Sequence, residues 1–381
     1  MERAGRMRIV VTGAGGLLGR HAALRLHAEN CAPASRARRS PSISCRSTAA
    51  AFADPSRLRA ELAGAGAVLH FAGINRAPDE EVEHGNPAIA TALVSACRDA
   101  GVVPHIVYAN STHAGGDTPY GRGKRRAGEI LAGAGGDYTD LVLPHIFGEG
   151  ARPDYNNVTA TFIDRVIGGD MPKVNPDGRV ELLHAGAAGR AAIDAALSGT
   201  GGRIAPQARP VAVPDLLEKL RGFHADYAAN VFPDLADPFR SGAVQQLSRS
   251  ASIRPAFPRP LKLNADPRGT LFGGGEGRRR RPDLPELDPA RHHARQPFPL
   301  SKVERFLVLE GQAAIRIRPA LAGACGNTES TATRRRWSIC RRFTPTASRI
   351  SGRAGCSPCS GRTTCFDPAA PDTYADPVLE P

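Results

Sequence analysis

Aromatic residues make up only 5% of this 381-residue chain, with a single Trp and three Met. The chain also has no stretch of about 18 consecutive apolar residues, which excludes a transmembrane helix. The N-terminus has no apolar core followed by a small-residue cleavage site, because the strand-like run Arg8-Ile9-Val10-Val11 begins almost at once. No signal peptide is expected, and a cytoplasmic location and no membrane partner follow by default. Acidic residues are the minority charge, 37 against 50 basic ones, for a net charge of +13. Excess basic charge can mark a nucleic-acid partner. Here the arginines concentrate at Arg278–Arg281 and at Arg334–Arg336 with Arg341 and Arg342, and neither run is interleaved with aromatics on a periodic element. No nucleic-acid partner is expected. Of the eight cysteines, five follow residue 324; Cys356 and Cys359 form a C-x-x-C, but Cys340 and Cys365 do not supply a second pair at zinc spacing. No metal site is expected there.

What the chain does contain is glycine (41), proline (32) and 41% hydrophobic residues, enough for buried cores. Its length predicts about two domains. From Met7 to about residue 165, short apolar runs alternate with amphipathic stretches. Strands are predicted at Arg8–Val11, Ala67–Phe71, His105–Ala109 and Thr139–Leu143, and helices at Leu17–Ala28, Asn86–Asp99 and Pro119–Ala132. Such alternation predicts a parallel sheet covered on both faces. Residues 31–48 carry no apolar periodicity where a second strand should lie. Pro255, Pro258 and Pro260 mark a linker near residues 245–260. Beyond it, Arg305–Ile317 reads as two short strands around Gly311, while 273–299 and 320–365 lack periodicity of either kind.

The run Thr12-Gly13-Ala14-Gly15-Gly16-Leu17-Leu18-Gly19 follows the first strand and opens the first helix. Glycines there permit a tight turn and close backbone approach to a pyrophosphate, and the helix N-terminus offers free N–H groups. This is a dinucleotide-binding reading with a specific structural setting. Tyr120 and Lys124 stand four apart, on one face of the predicted helix. An ammonium beside a phenol favours the phenolate, so Lys124 is expected to lower the Tyr120 pKa and let Tyr120 exchange a proton with a carbonyl oxygen. Ser111, at a strand end, can hydrogen-bond the same oxygen. In the exit from the third strand, after Phe71, the small residues Ala72 and Gly73 let the backbone approach a cofactor. His145 and His184 stand alone in the sequence, and a structural role is the expectation for each.

With these motifs placed, the chain resembles the extended short-chain dehydrogenase/reductases: Gly13-x-x-Gly16-x-x-Gly19, the segment His70–Arg76, and Ser111 with Tyr120-x-x-x-Lys124 carry the likeness. Phe147-Gly148, Arg152–Val158 and Ala160–Phe162 resemble one branch, the bifunctional UDP-sugar reductase/epimerases of bacterial capsule and O-antigen synthesis. So do Asn264–Gly269, Glu304–Gly311, Phe366–Pro368 and Pro371–Tyr374. The resemblance implies a Rossmann-type doubly wound α/β domain over residues 7–250 and a small all-β cupin-like domain over 251–381. It also implies NADPH (or NAD) as cofactor, a UDP-sugar as substrate and a homodimer. The reaction would be reduction of the 4-keto group of a UDP-2-acetamido-2,6-dideoxy-hexulose, with Tyr120, Lys124 and Ser111 catalytic. Asn75, Arg76, His145, Asn156 and Asn157 would face the substrate. Alternatives are an NAD-retaining UDP-sugar 4-epimerase or dehydratase, and an inactive nucleotide-binding remnant.

The chain departs from this family in places. Pro297-Phe298-Pro299 stands where the cupin should carry His-x-His, so no metal is expected in this chain, and His292 and His293 take no ligand role. Asp288–Arg295 can be encoded so that reading one base later gives Thr-Arg-Pro-Gly-Ile-Thr-Arg. Phe343–Ile350, read two bases later, can give His-Ala-His-Gly-Ile-Ala-Asn, and Ser42–Thr48 can give Asp-Ile-Val-Pro-Leu-Asp, a plausible second strand. Each shifted reading restores what the family has and this chain lacks. Residues of about 31–48, 273–299 and 320–365 therefore read as out-of-frame translation, with the cupin disrupted and its C3-epimerase activity lost. Arg36, Arg38 and Arg39, which could mimic a 2′-phosphate site, fall in the first of these segments. A last departure is His184-Ala-Gly-Ala-Ala-Gly-Arg190, where the family carries two Asp.

Overall fold

The computed structural model describes residues 7–31, 42–47, 49–229, 231–232 and 237–253, and beyond them short strands between 259 and 375 with residues 300 and 321. Arg36, Arg38, Arg39, His292, His293, Pro299, the C-x-x-C and Arg278–Arg281 lie outside the described residues. The chain forms two compact units, residues 1–158 with 179–212 and residues 159–178 with 213–381.

The first unit is built on six parallel strands: β1 (Arg8–Thr12), β2 (Ser42–Ser47), β3 (Ala67–His70), β4 (His105–Ser111), β5 (Tyr138–Leu143) and β8 (Gly202–Ile204), in spatial order β2-β1-β3-β4-β5-β8. The helices α1 (Leu17–Asn30), α2 (Ala49–Phe52), α3 (Pro55–Leu62), α4 (Asp79–Asp99), α5 (Pro119–Ala132) and α7 (Ala185–Ser198) belong to the same unit. This is the doubly wound α/β arrangement, Rossmann-type, that strand–helix alternation implies. A second, three-stranded sheet joins β6 (His145–Phe147), β7 (Arg179–His184) and β9 (Arg209–Ala212).

Alternation of side chains along each strand divides the core into two layers. On one face, Ile9, Val11, Leu69, Val107 and Leu141 pack with Ala22 and Leu26 of α1 and Ala188 and Ala192 of α7. On the other, Val10, Val68, Ile106 and Tyr108 pack with Leu93 of α4 and Ala127 and Leu131 of α5. Each fully buried Leu or Ile contributes about 1.5–3 kcal/mol of burial free energy. The departure at 184–190 has a packing explanation: a Cβ on Gly189 would stand 3.2 Å from Ala22 Cα, so small residues on α7 let it lie close against α1.

Three elements differ from expectation. Residues 42–47 do form a strand, although the sequence has no periodicity there; backbone pairing with β1 needs no side-chain pattern, and the register slips between Ile9 and Val10 while β1 and β3 pair without a break. Helix α4 begins at Asp79 rather than Asn86, with Asp79, Glu80 and Glu81 in the first turn, where the helix dipole favours acids. Pro87 lies inside that helix; nearby, the side chain of Asn86 donates to the Val82 carbonyl (2.9 Å). Strand β4 runs on to Ser111, bringing that hydroxyl to its very end.

In the second unit, α6 (Val158–Gly168) and α8 (Val213–Ala228) precede β10 (Val231–Phe232) and α9 (Pro238–Ile253). Antiparallel pairs follow. Leu263–Asp266 pairs with Gly269–Phe272, Glu304–Val308 with Arg336–Cys340, and Ala313–Ile317 with Thr346–Ile350. The two strands expected around Gly311 are present, each paired with a partner from the stretch that showed no pattern. Among the described residues no helix is long and apolar enough to cross a membrane.

Candidate functional site

Parallel strands bring the C-terminal ends of β1, β3 and β4 to one edge of the sheet, and β1 and β3 flank the point where strand order reverses. A crevice outside that edge is where ligands bind in open α/β sheets. The Gly13 turn lies there. Gly13 has φ +66°, and a Cβ on it would be 2.6 Å from the Ala72 nitrogen. A Cβ on Gly19 would be 2.3 Å from the Gly13 carbonyl oxygen. Gly16 donates to the Gly13 carbonyl (2.9 Å) and caps α1 without a side-chain hydrogen bond. Leu17 opens α1, and Leu18 packs on the α1/α7 layer. Above Gly15 a Cβ would meet nothing within 4 Å. A tight turn with open space above it and an uncapped helix end suits a dinucleotide pyrophosphate. Phe71 and Ala72 pack directly against this turn, and Gly73 follows, exposed.

Next to the turn, Thr12 Oγ1 and His70 Nδ1 are 2.7 Å apart, both buried. Burial, then the charge of Lys124, pushes the His70 pKa down to about 3, so the ring is neutral. It stacks on Tyr108 with centroids 5.6 Å apart.

Thr118 caps α5 and Pro119 occupies its first turn. This sets Tyr120 and Lys124 on the inner face. The Ser111 hydroxyl, at the end of β4, is close enough to Tyr120 to favour its phenolate. The Lys124 placement corrects the expectation of a directly acidified phenol. Its Nζ donates to the Ala109 carbonyl (2.6 Å) and lies 4.1 Å from the centroid of the Tyr108 ring. The Tyr120 pKa is raised rather than lowered, because burial disfavours the phenolate more than the Ser111 hydroxyl favours it. Lys124 is pushed down from 10.5 to about 7 by burial, with Asp140 opposing the shift.

The residues expected to face a substrate fall into two groups. Asn75, Arg76 and Asn156 are together and exposed. Asn156 donates to the Asn75 carbonyl (2.9 Å), Tyr155 to Asn75 Oδ1 (3.0 Å) and Arg76 to the Asp154 carbonyl. Arg76 and Arg152 lie over the Tyr155 ring at 5.6 and 5.5 Å. Asp154 and Asn156 both have positive φ, 56° and 48°, uncommon for residues with a Cβ. Asn157, in contrast, is buried and donates to the Ile146 carbonyl (2.8 Å), holding the loop to β6. His145 is half-buried, its pKa lowered by burial and then by His113.

Sequence reasoning missed one constellation. His184 does not stand alone: His21, Glu149 and His184 meet in the first unit, their ligating atoms within 4.8 Å of one another. The distances could suit a metal, but the hydrogen bonds argue otherwise. Gly186 N–H donates to His184 Nδ1 (3.1 Å), so a neutral ring carries its proton on Nε2, which points at Glu149 Oε2 (3.1 Å). His21 Nε2 faces the Glu149 carbonyl (2.9 Å), again a donor position. Nitrogens bearing protons do not ligate, and the cluster is a hydrogen-bond clamp joining α1, the β6 exit and α7. No spacing in the sequence connects residues 21, 149 and 184.

Residues 9–198 match the NAD dependent epimerase/dehydratase family. A Pseudomonas aeruginosa protein named UDP-2-acetamido-2,6-beta-L-arabino-hexul-4-ose reductase is 29% identical over 287 residues, 69% of this chain and 74% of that one. Among solved structures, the capsular polysaccharide assembling protein CapF from Staphylococcus aureus superimposes with TM-score 0.57 at 20% identity, covering 97% of this chain and 99% of that one. A UDP-N-acetylglucosamine 4-epimerase from Methanobrevibacter ruminantium, in complex with UDP-N-acetylmuramic acid, gives 0.53 at 16% identity over 65% and 99%. These two likenesses concern the fold.

Proposed function

We propose that this chain, an NAD(P)-dependent oxidoreductase whose residues 9–198 carry the epimerase/dehydratase family domain, reduces the 4-keto group of a UDP-2-acetamido-2,6-dideoxy-hexulose with NADPH. The observation that carries the reading is that Ser111 ends β4 at the sheet edge beside α5, whose inner face carries Tyr120 and the buried Lys124. The name of the Pseudomonas aeruginosa relative supports the substrate class.

The residues of the Gly13 turn would hold the nucleotide pyrophosphate, and Lys124 the nicotinamide ribose. NADPH, when bound, supplies the hydride. Tyr120 gives its proton to the sugar carbonyl oxygen as charge develops there. Its raised pKa suits that direction of reaction, because the phenol stays protonated at neutral pH. The Ser111 hydroxyl orients the same oxygen. Asn75, Arg76, His145, Asn156 and Asn157 are the proposed sugar-nucleotide contacts, Asn157 by holding its loop. The reductase domain spans residues 7–250. Residues 251–381 are a cupin-like remnant disrupted at 273–299 and 320–365, without C3-epimerase activity. We assign the enzyme to the cytoplasm as a homodimer. Resequencing the gene tests the frame reading: a clean read with no compensating indels overturns it.

NADPH oxidation with a 4-keto-6-deoxy UDP-sugar tests the activity. Tyr120→Phe should lose at least about 100-fold in kcat. Equal rates overturn the mechanism. Nicotinamide cofactor co-purifying with the protein, without consumption of added NADPH, would favour the 4-epimerase instead.

A further inference from the structure

Strand register places an acid where the core should be apolar. On β5, Asp140 pairs across from Tyr108 of β4, and Tyr138 across from Ile106, all on the layer covered by α5. Asn110, two residues beyond Tyr108 on the same face, is buried. Its Nδ2 donates to Asp140 Oδ1 (2.7 Å), and its Oδ1 accepts from the Ser111 backbone N–H (2.8 Å). Tyr138 donates its hydroxyl to the same Asp140 oxygen (3.3 Å). Gly128 makes room for this cluster: a Cβ there would stand 3.0 Å from the Tyr138 hydroxyl oxygen and 3.5 Å from Asn110 Nδ2. Tyr120, Lys124 and Gly128 are spaced four apart, so one face of α5 runs from the phenol, past the ammonium, to the Asp140 group.

We propose that Asp140 is a positioning residue for the Ser111–Tyr120–Lys124 group: through Asn110 it holds Ser111, and its carboxylate charge sustains the buried Lys124 ammonium. This deepens, and rests on, the reductase reading for its catalytic meaning, but its electrostatics can be tested apart from it. The groups around Lys124 are the Tyr108 ring on β4 against its Nζ, His70 on β3 stacked on that ring, Tyr120 one turn back on its own helix and Asp140 on β5, paired across from Tyr108. His70 is neutral and both tyrosines are protonated, so Asp140 supplies the one negative charge of this set. The Lys124 Nζ has a carbonyl and an aromatic face against it, and neither is a full countercharge.

The chain has five lysines, Lys124, Lys173, Lys219, Lys262 and Lys302, so ε-carbon-labelled lysine gives few NMR signals to titrate. Lys124→Met identifies the Lys124 signal by its loss. In wild type that signal should titrate near neutrality. In Asp140→Asn, which keeps an acceptor for Asn110 and removes only the charge, it should move down by about one pH unit. An unmoved Lys124 titration in a variant whose other lysine signals match wild type overturns the assignment. Should Asp140→Asn fail to fold, Asn110→Asp, which sets a second carboxylate in the cluster, should move the Lys124 titration up, and no movement overturns it equally. If the NMR shift is found and no NADPH is consumed, the reductase reading fails while the Asp140 assignment stands. If NADPH is consumed, the alkaline limb of kcat should fall at lower pH in Asp140→Asn.

Discussion

Lys124 Nζ sits 4.1 Å from the centre of the Tyr108 ring and donates to the Ala109 carbonyl (2.6 Å). Burial there disfavours its charge, and the ring quadrupole returns only part of what water would have supplied.

That placement makes Lys124 a cost to folding. Its pKa is about 7 when folded and near 10.5 when unfolded, so between these values the unfolded chain binds more protons and stability rises with pH. The penalty is fully present below pH 7 and gone above 10.5. Lys124→Met should therefore be more stable than wild type by about 2 kcal/mol at pH 6.5, after loss of the Ala109 hydrogen bond is set against the relieved charge. The gap should close as pH approaches 10. Urea unfolding across this range checks it, and turnover should be lost at every pH.

Two glycines in one turn separate packing from binding. Gly19→Ala places a Cβ within 2.3 Å of the Gly13 carbonyl oxygen, which must open the turn. Nucleotide affinity should fall at least about tenfold and the melting temperature with it. Gly15→Ala meets nothing within 4 Å, so it should leave the melting temperature unchanged while weakening NADPH binding. Fluorescence titration beside thermal melting distinguishes the two, and a Gly15→Ala protein with wild-type affinity would remove the pyrophosphate from that space.

Glu149 is buried and accepts from the His184 ring. Glu149→Leu removes the acceptor of that half-buried donor and should cost about 1–3 kcal/mol in chemical unfolding. Adding zinc should not raise the stability of the wild type. A metal-dependent rise in melting temperature, absent in Glu149→Leu, would contradict the clamp.

Much of the site was legible from spacing. The glycines of the turn answer a local steric demand, and Tyr120 and Lys124 share a helix face because four residues make about one turn. Ser111 was legible as a strand end. Residues 42–47 were not legible as a strand, because edge pairing with β1 is a backbone event that leaves no side-chain period behind.

The sequence by itself determined the parallel α/β class, the glycine turn that opens α1 and the shared helix face of Tyr120 and Lys124, since each follows from periods and distances within a few residues. Only the tertiary structure decided what those groups meet. It put Lys124 over the Tyr108 ring, joined Asp140 to Asn110, and gathered His21, Glu149 and His184 from three distant segments. These contacts depend on strand order and on how closely helices approach the sheet, and such long-range geometry has no local spacing through which to appear.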